Sequence, residues 1–176
     1  MSDIKLIRPT MEYAEDIRQF RRAVIALGGK DCFAGCFTMQ TCAEPVDWIE
    51  SIELMSSEDT CPDGTVPSDT FIAVRISDDK MVGVIELRHH IDHPVLGVWG
   101  GHVGYSVHPD ERRKGYGKEM LRQGLEYCRL RGLDSVLITC DIDNTASERT
   151  ILANGGVFER QICVDGDQMK RYWIKL

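Results

Sequence analysis

Hydrophobic residues in the first half of the chain recur at the spacing of amphipathic helices. Apolar side chains repeat every three or four positions over residues 10–27 and again over 45–55, which predicts two helices with one apolar face each. A short strand over residues 4–7 precedes them. Residues 28–44 and 56–69 follow neither period and contain turn-forming residues, so we expect irregular loops there.

The second half alternates short apolar strands with two further helices, a pattern typical of α/β and α+β domains. In order along the chain, the predicted elements are strands 71–74, 81–88 and 100–107, a helix over 114–131, a strand over 135–140, a helix over 144–153, and strands 157–164 and 169–174. The chain shows no internal repeat or linker. We therefore expect residues 1–176 to form a single domain in which a mixed sheet is flanked by helices.

The composition is that of an ordinary globular protein, and the charge makes two classes of partner poor candidates. Of the 176 residues, 43% are hydrophobic and 28% are charged, and the formal net charge is -7. An acidic chain repels the phosphates of nucleic acids and of anionic membranes, so we expect neither as a partner. No signal-peptide pattern is found at the N-terminus, and no apolar run approaches the roughly 20 residues of a transmembrane helix.

Seven cysteines are the unusual feature of the composition. An odd number leaves one thiol unpaired in any disulfide framework, and no CxxC pair suggests a structural zinc site. The simplest interpretation is a reduced, cytoplasmic protein that uses cysteine as a small apolar residue. The positions are Cys32, Cys36, Cys42, Cys61, Cys128, Cys140 and Cys163.

The segment 107–118 carries the strongest chemical signal. A predicted strand ends, the chain turns at Pro109, and a glycine-rich basic turn opens a helix. Helix N-termini present unpaired N–H groups and a partial positive charge, which favour phosphate groups. Gly115 and Gly117 allow an anion to approach the backbone. Four cations lie beside them: Arg112, Arg113, Lys114 and Lys118.

Two common phosphate-binding motifs do not fit this segment. A Walker loop needs a glycine where Arg112 stands and a serine or threonine where Glu119 stands, and a dinucleotide-binding loop needs a third glycine where Met120 stands. The remaining pattern, Arg112-x-x-Gly115-x-Gly117 between a strand and an amphipathic helix, resembles the coenzyme-A loop of the GNAT superfamily of N-acetyltransferases. The resemblance continues at Asn144, which follows the next apolar strand, and at Ser147 one turn later. It is strong over residues 70–176 and only topological before them.

The resemblance implies a GNAT-like fold, mostly antiparallel, in which two strands splay apart around the cofactor loop. It implies acetyl-CoA as cosubstrate and an amine as acceptor, either a small molecule or a peptide, and family members often form homodimers. The residues that it implies for cofactor binding are Val107, Arg112, Arg113, Lys114, Gly115, Tyr116, Gly117, Lys118, Asn144 and Ser147.

The residues that move protons are harder to predict. Many family members carry a tyrosine seven residues after the cofactor asparagine, and Ile151 occupies that position here. His102 is the first candidate for the base because its reference pKa suits the task, and a hydrogen-bonded structural histidine is the alternative. Glu86 is the second candidate, with an ion pair to Arg88 as the alternative. Tyr172 can donate a proton to the leaving thiolate or simply pack in the core.

Three further candidates for catalysis or metal binding lie in the second half of the chain. Tyr105 shares the alternatives of Tyr172. Cys140 invites an acetyl-cysteine intermediate, but its apolar strand raises the thiol pKa and favours inert packing. A metal cluster is suggested by His89, His90, Asp92 and His93. Neighbours in a strand point to opposite sides, and Pro94 breaks any helix that would align His89 with His93, so we expect no metal. The leading hypothesis is an acetyl-CoA-dependent N-acetyltransferase, and the alternatives are a non-catalytic acyl-CoA-binding module and, more weakly, a nucleotide-phosphate binder.

Overall fold

A computed structural model describes residues 3–28 and 33–176 of the chain. Its strands are β1 (Ile4–Ile7), β2 (Ser68–Arg75), β3 (Lys80–Arg88), β4 (Val103–Val107), β5 (Ser135–Asp141), β6 (Val157–Val164) and β7 (Asp167–Lys175). Its α-helices are α1 (Ala14–Leu27), α2 (Thr38–Thr41), α3 (Pro45–Leu54), α4 (Tyr116–Leu130) and α5 (Thr145–Leu152). None of the helices in the described part of the chain is long and apolar enough to cross a membrane.

The strands form two antiparallel sheets rather than one continuous sheet. The larger has the order β1-β2-β3-β4 and the smaller has the order β5-β7-β6. The two sheets meet at their edge strands β4 and β5, where the His102 N–H donates to the Leu137 carbonyl at 2.8 Å. Beyond this junction β4 and β5 separate, which confirms the splayed strands of the predicted fold.

Helices cover both faces of the larger sheet, and consecutive residues of β2 such as Ile72, Ala73 and Val74 are buried because successive side chains point to opposite faces. On the back, α4 and α5 pack on both sheets around a core that includes Met120, Leu121, Ile138 and Tyr172. On the front, α1 and α3 cover the larger sheet around Phe20. The front of the smaller sheet carries the segment that precedes β4.

The predicted elements are confirmed with small shifts of their ends, and two differences matter for the site. Residues 100–102 are not part of a strand: Leu96–Gly100 forms a short π-helix, and β4 begins only at Val103. Within the expected loop 28–44, residues 38–41 form the single turn of α2. Cys32 lies outside the described residues, and the six other cysteines are free thiols.

Candidate functional site

A cleft of about 820 Å³ opens where β4 and β5 separate. One wall is β4, and the opposite wall consists of the end of β5 and the first turn of α5. The N-terminus of α4 closes the cleft at the back end. The walls of the cleft therefore come from segments that are far apart in the sequence.

The edge of β4 that faces the cleft has unpaired backbone groups. Both ends of the strand are anchored to β3, through the His102 carbonyl and the His108 N–H. Backbone groups in an antiparallel strand point to alternate sides, so the N–H and C=O groups of the odd-numbered residues face away from β3. These residues, Val103, Tyr105 and Val107, line the cleft. The Val107 carbonyl accepts from Arg112 Nε at 3.3 Å, and the other groups on this edge have no partner among the described residues. They offer an extended ligand the hydrogen bonds that a further strand would make.

The start of α4 forms an anion-binding concavity at the end of that edge. The backbone N–H groups of residues 113–117 find no acceptor among the described residues. Arg113 and Gly115 have positive φ angles of 65° and 88°, a local conformation that turns successive N–H groups toward one point. A side chain on Gly117 would meet Val107 and Tyr105 at ordinary contact distances and would therefore occupy the cleft.

The loop before α4 is tied to the larger sheet by charge. Arg75 of β2 donates to Glu111 at 2.8 Å and lies 3.4 Å from the hydroxyl of Tyr116. These partners, together with Asp78, raise the pKa of Arg75 further above its usual range. Lys114 also donates to Glu111, at 2.7 Å. This set of contacts fixes the turn that presents the free N–H groups.

Nine of the ten residues predicted to bind the cofactor line the cleft. The exception is Lys114, whose ammonium group lies against Glu111 instead. On the opposite wall Asn144 caps α5, and its side-chain oxygen accepts from the Ser147 N–H at 3.0 Å. The Ser147 hydroxyl lies 2.9 Å from the hydroxyl of Tyr105, so the two walls are linked through side chains.

The structure brings none of the three predicted catalytic side chains to the walls of the cleft that it describes. His102 is buried at the sheet junction, where its Nδ1 accepts from the Leu137 N–H at 2.9 Å. Burial, reinforced by the charge of Arg88, lowers the pKa of His102 to about 4. A neutral imidazole has one free lone pair, and here that lone pair already accepts a hydrogen bond. This geometry matches the structural alternative for His102 rather than a base.

The side chains of Glu86 and Tyr172 are likewise hydrogen-bonded to other residues of the protein. The Glu86 carboxylate accepts from Arg88 at 2.6 Å and from the Ser68 hydroxyl at 3.0 Å, which is the ion-pair alternative. Tyr172 is 1% exposed and donates to Glu148 at 2.5 Å. Burial first, and this hydrogen bond second, raise the pKa of Tyr172 well above its usual range. Both residues stabilise the fold around the cleft.

Two other candidates do line the cleft. Burial raises the pKa of Tyr105 to about 12 and that of the Cys140 thiol to about 11. Tyr105 therefore keeps a proton that it can donate, whereas Cys140 remains a poor nucleophile at neutral pH. His89 instead pairs with the buried Asp69, and no group of three or more His, Cys, Asp or Glu within the described residues is arranged to hold a metal.

Comparisons with known proteins agree with this geometry. The family model described as the acetyltransferase (GNAT) domain matches residues 9–157. None of the curated proteins compared with the chain matches it. A ribosomal-protein-S5-alanine acetyltransferase from Vibrio fischeri has a TM-score of 0.69 at 14% identity, with 99% of this chain and 94% of that chain covered.

Two further solved structures are similar in fold. A GNAT-family acetyltransferase from Bacillus anthracis has a TM-score of 0.65 at 16% identity, with 99% of this chain and 95% of that chain covered. The microcin C7 self-immunity acetyltransferase MccE, solved in complex with acetyl-CoA and AMP, has a TM-score of 0.66 at 17% identity, with 100% of this chain and 94% of that chain covered.

Proposed function

We propose, because the chain belongs to the family of GNAT acetyltransferase domains, that it transfers an acetyl group from acetyl-CoA to an amine. One observation carries the proposal: the unpaired edge of β4 and the free N–H groups at the start of α4 face the same cleft. The β4 edge can form hydrogen bonds with the amides of an extended pantetheine arm, and the N–H groups of α4 can bind a pyrophosphate.

The residues that hold acetyl-CoA in this proposal are those of the cleft wall. Backbone N–H groups from Arg113 to Gly117 bind the pyrophosphate, and the exposed cations Arg112, Arg113 and Lys118 neutralise its charge. Val107 offers its backbone N–H to the arm, while Asn144 and Ser147 contact the arm from α5. Lys114 contributes through Glu111, by holding the turn.

The reaction forms one bond and breaks another. Acetyl-CoA supplies an activated acetyl group, the amine nitrogen forms a bond to its carbonyl carbon, and the carbon–sulfur bond breaks. The amine loses a proton, and the leaving thiolate takes one up. We assign the second proton transfer to Tyr105, because it lines the cleft and burial keeps it protonated.

The six free thiols among the described cysteines also support a reducing compartment, so we place the protein in the cytoplasm.

Release of the CoA thiol in the presence of acetyl-CoA and an amine tests the function directly. We expect thiol release that depends on the added amine. Acetyl-CoA at about 100 times its Kd should also stabilise the fold by about 2.7 kcal/mol, measured as a rise in Tm. Stabilisation without turnover over a broad panel of amines would indicate the non-catalytic binding module, and no stabilisation at all would contradict both functions.

Substitution of Gly117 locates the cofactor. Gly117→Asp places a carboxylate among the N–H groups that we assign to the pyrophosphate, so we expect a large increase in the Kd for acetyl-CoA. The contacts around Gly117 leave room for a side chain, so the fold should be retained. Gly117→Ala is the steric control and should weaken binding less than Gly117→Asp. Unchanged affinity in both variants would mean that the phosphates bind elsewhere.

A further inference from the structure

The front of the cleft opens between two segments. One crosses β4 at Gly35, and the other directly precedes β4 in the sequence. On the side of the larger sheet, the Ser106 hydroxyl donates to the Ala34 carbonyl at 2.8 Å. Gly35 crosses β4 at Gly104 so closely that a Cβ on either glycine would overlap the other's backbone. On the side of the smaller sheet lies the π-helical segment, residues 95–101. We call the gap between these two segments the front mouth.

Side chains from both sheets hold the π-helical segment in place through its carbonyl groups. Arg171 of β7 donates to the carbonyls of Gly97, at 2.8 Å, and Val98. Thr139 of β5 donates to the carbonyl of Trp99. Arg88 of β3 donates to the carbonyls of the next two residues, each at 3.0 Å. Partners on both sides of the cleft therefore support the conformation of the segment.

This anchoring turns apolar side chains toward the front mouth. Phe37, Val95, Leu96, Trp99 and Met169 line the cleft there, and Phe37 and Val95 are exposed. Of the charged residues on the described cleft walls, most belong to the loop before α4 and its first turn. The mouth itself has Asp141 as its carboxylate and Arg88, whose guanidinium is paired with Glu86.

We propose that the acceptor is an amine borne on an apolar body, aromatic or branched aliphatic, which lies against Trp99 and Leu96 in the front mouth. This inference rests on the proposed function and names the substrate class of the same site. A polyamine or another polycation needs several carboxylates in place of lost water, and the described walls of the mouth do not provide them. The apolar body can come from a free arylalkylamine or from a peptide with an apolar N-terminal residue.

The apolar mouth also promotes the chemistry. Most amines are protonated at neutral pH and cannot attack a carbonyl carbon. Transfer from water to apolar surroundings disfavours the charged form, so the pKa of the bound ammonium falls and its proton passes to water. The neutral nitrogen then bonds to the acetyl carbon, the carbon–sulfur bond breaks, and the thiolate takes a proton. The products are an amide and the CoA thiol.

Acetylation rates of three probes test the substrate class: phenethylamine, the tripeptide phenylalanyl-glycyl-glycine and spermidine. We expect kcat/KM for at least one of the first two to exceed that for spermidine by about tenfold or more. A higher kcat/KM for phenethylamine would indicate a free arylalkylamine as acceptor, and a higher kcat/KM for the tripeptide would indicate a peptide N-terminus. Preference for spermidine would overturn the inference and leave the proposed function intact. Failure to acetylate any amine, despite acetyl-CoA binding, would contradict the function itself.

Trp99→Ala tests whether the front mouth determines the preference for apolar amines. We expect kcat/KM for the preferred apolar amine to fall about tenfold through loss of the aromatic contact, while the Kd for acetyl-CoA stays the same. Val98→Ala is the matched control, because Val98 lies on the same segment but does not line the cleft. Leu96→Asp adds a second carboxylate to that of Asp141 and should shift preference toward spermidine. Equal effects of Trp99→Ala on apolar and polycationic amines would overturn the inference.

Discussion

We propose that Tyr105 takes the role of the acid, which the sequence leaves unfilled. The family position for the acid is Ile151, which is buried and cannot donate. Tyr105 reaches the cleft from β4 instead and contacts Ser147 on the opposite wall at 2.9 Å. A phenol with a pKa of about 12 is fully protonated at neutral pH, as a proton donor to a thiolate must be.

Tyr105→Phe removes that proton together with the hydrogen bond between the Tyr105 and Ser147 hydroxyls, and it keeps the aromatic ring. We expect kcat to fall roughly 100-fold, within the usual range for loss of an acid, with the KM for acetyl-CoA nearly unchanged. Tyr172→Phe is the comparison, since its hydroxyl donates to Glu148 away from the cleft. Steady-state kinetics of both variants decide the assignment. A loss of kcat in Tyr172→Phe and not in Tyr105→Phe would assign the acid to Tyr172.

At the scale of elements, β4 is an edge strand of the larger sheet. One edge is paired with β3, and the other faces the cleft. An edge strand without a partner usually invites aggregation, but here the edge is recessed between two sheets, where an extended ligand can reach it and another chain cannot. The free edge is therefore both a protected feature of the fold and the proposed binding site for the pantetheine arm.

Amide hydrogen exchange of β4 tests this interpretation residue by residue. In the free protein we expect fast exchange at Val103, Tyr105 and Val107, whose N–H groups face the cleft, and slow exchange at Gly104 and Ser106, which pair with β3. Acetyl-CoA should slow exchange at the first three by about tenfold or more, because the arm pairs with that edge. The even-numbered residues are the internal control. Protection confined to them would place the arm elsewhere.

The segments before and after β4 differ in how far their structure could be predicted from the sequence. The loop before α4 could be predicted from Arg112, Gly115 and Gly117, because binding a phosphate through backbone N–H groups imposes local sequence requirements. The π-helical segment could not, since glycines among apolar residues equally suit a strand. Its conformation depends on Arg171, more than 70 residues away in sequence. The same holds for His102, whose hydrogen bond to the Leu137 N–H has no sequence signature.

At the scale of the whole molecule, the two sheets meet beside a buried histidine. His102 both donates to and accepts from the backbone of Leu137, so it closes the junction below the cleft. Protonation of Nδ1 removes its lone pair and breaks the second hydrogen bond. Because burial and Arg88 oppose the charged form, the native state holds His102 neutral down to about pH 4.

This depressed pKa makes the stability of the fold depend on pH. In the unfolded chain a histidine binds a proton near pH 6.5, whereas the native state binds it only near pH 4. Between these values the unfolded state holds more protons, so the free energy of unfolding decreases as the pH falls and levels off below the lower value. The shift corresponds to a loss of about 3 kcal/mol.

Denaturant unfolding across this pH range measures the effect, and His102→Asn is the control. The asparagine oxygen can still accept from the Leu137 N–H but does not titrate, so we expect the variant to lose less stability than the wild type as the pH falls through this range. Carboxyl groups whose pKa is lowered in the native state, Asp69, Glu111, Glu148 and Glu159 among them, also lose stabilisation at the acid end of this range, but they do so equally in the wild type and the variant. Parallel profiles for wild type and variant would show that His102 is not the group that couples pH to the junction. A large loss of kcat in His102→Asn, with the fold and the Kd for acetyl-CoA intact, would instead return His102 to the role of base.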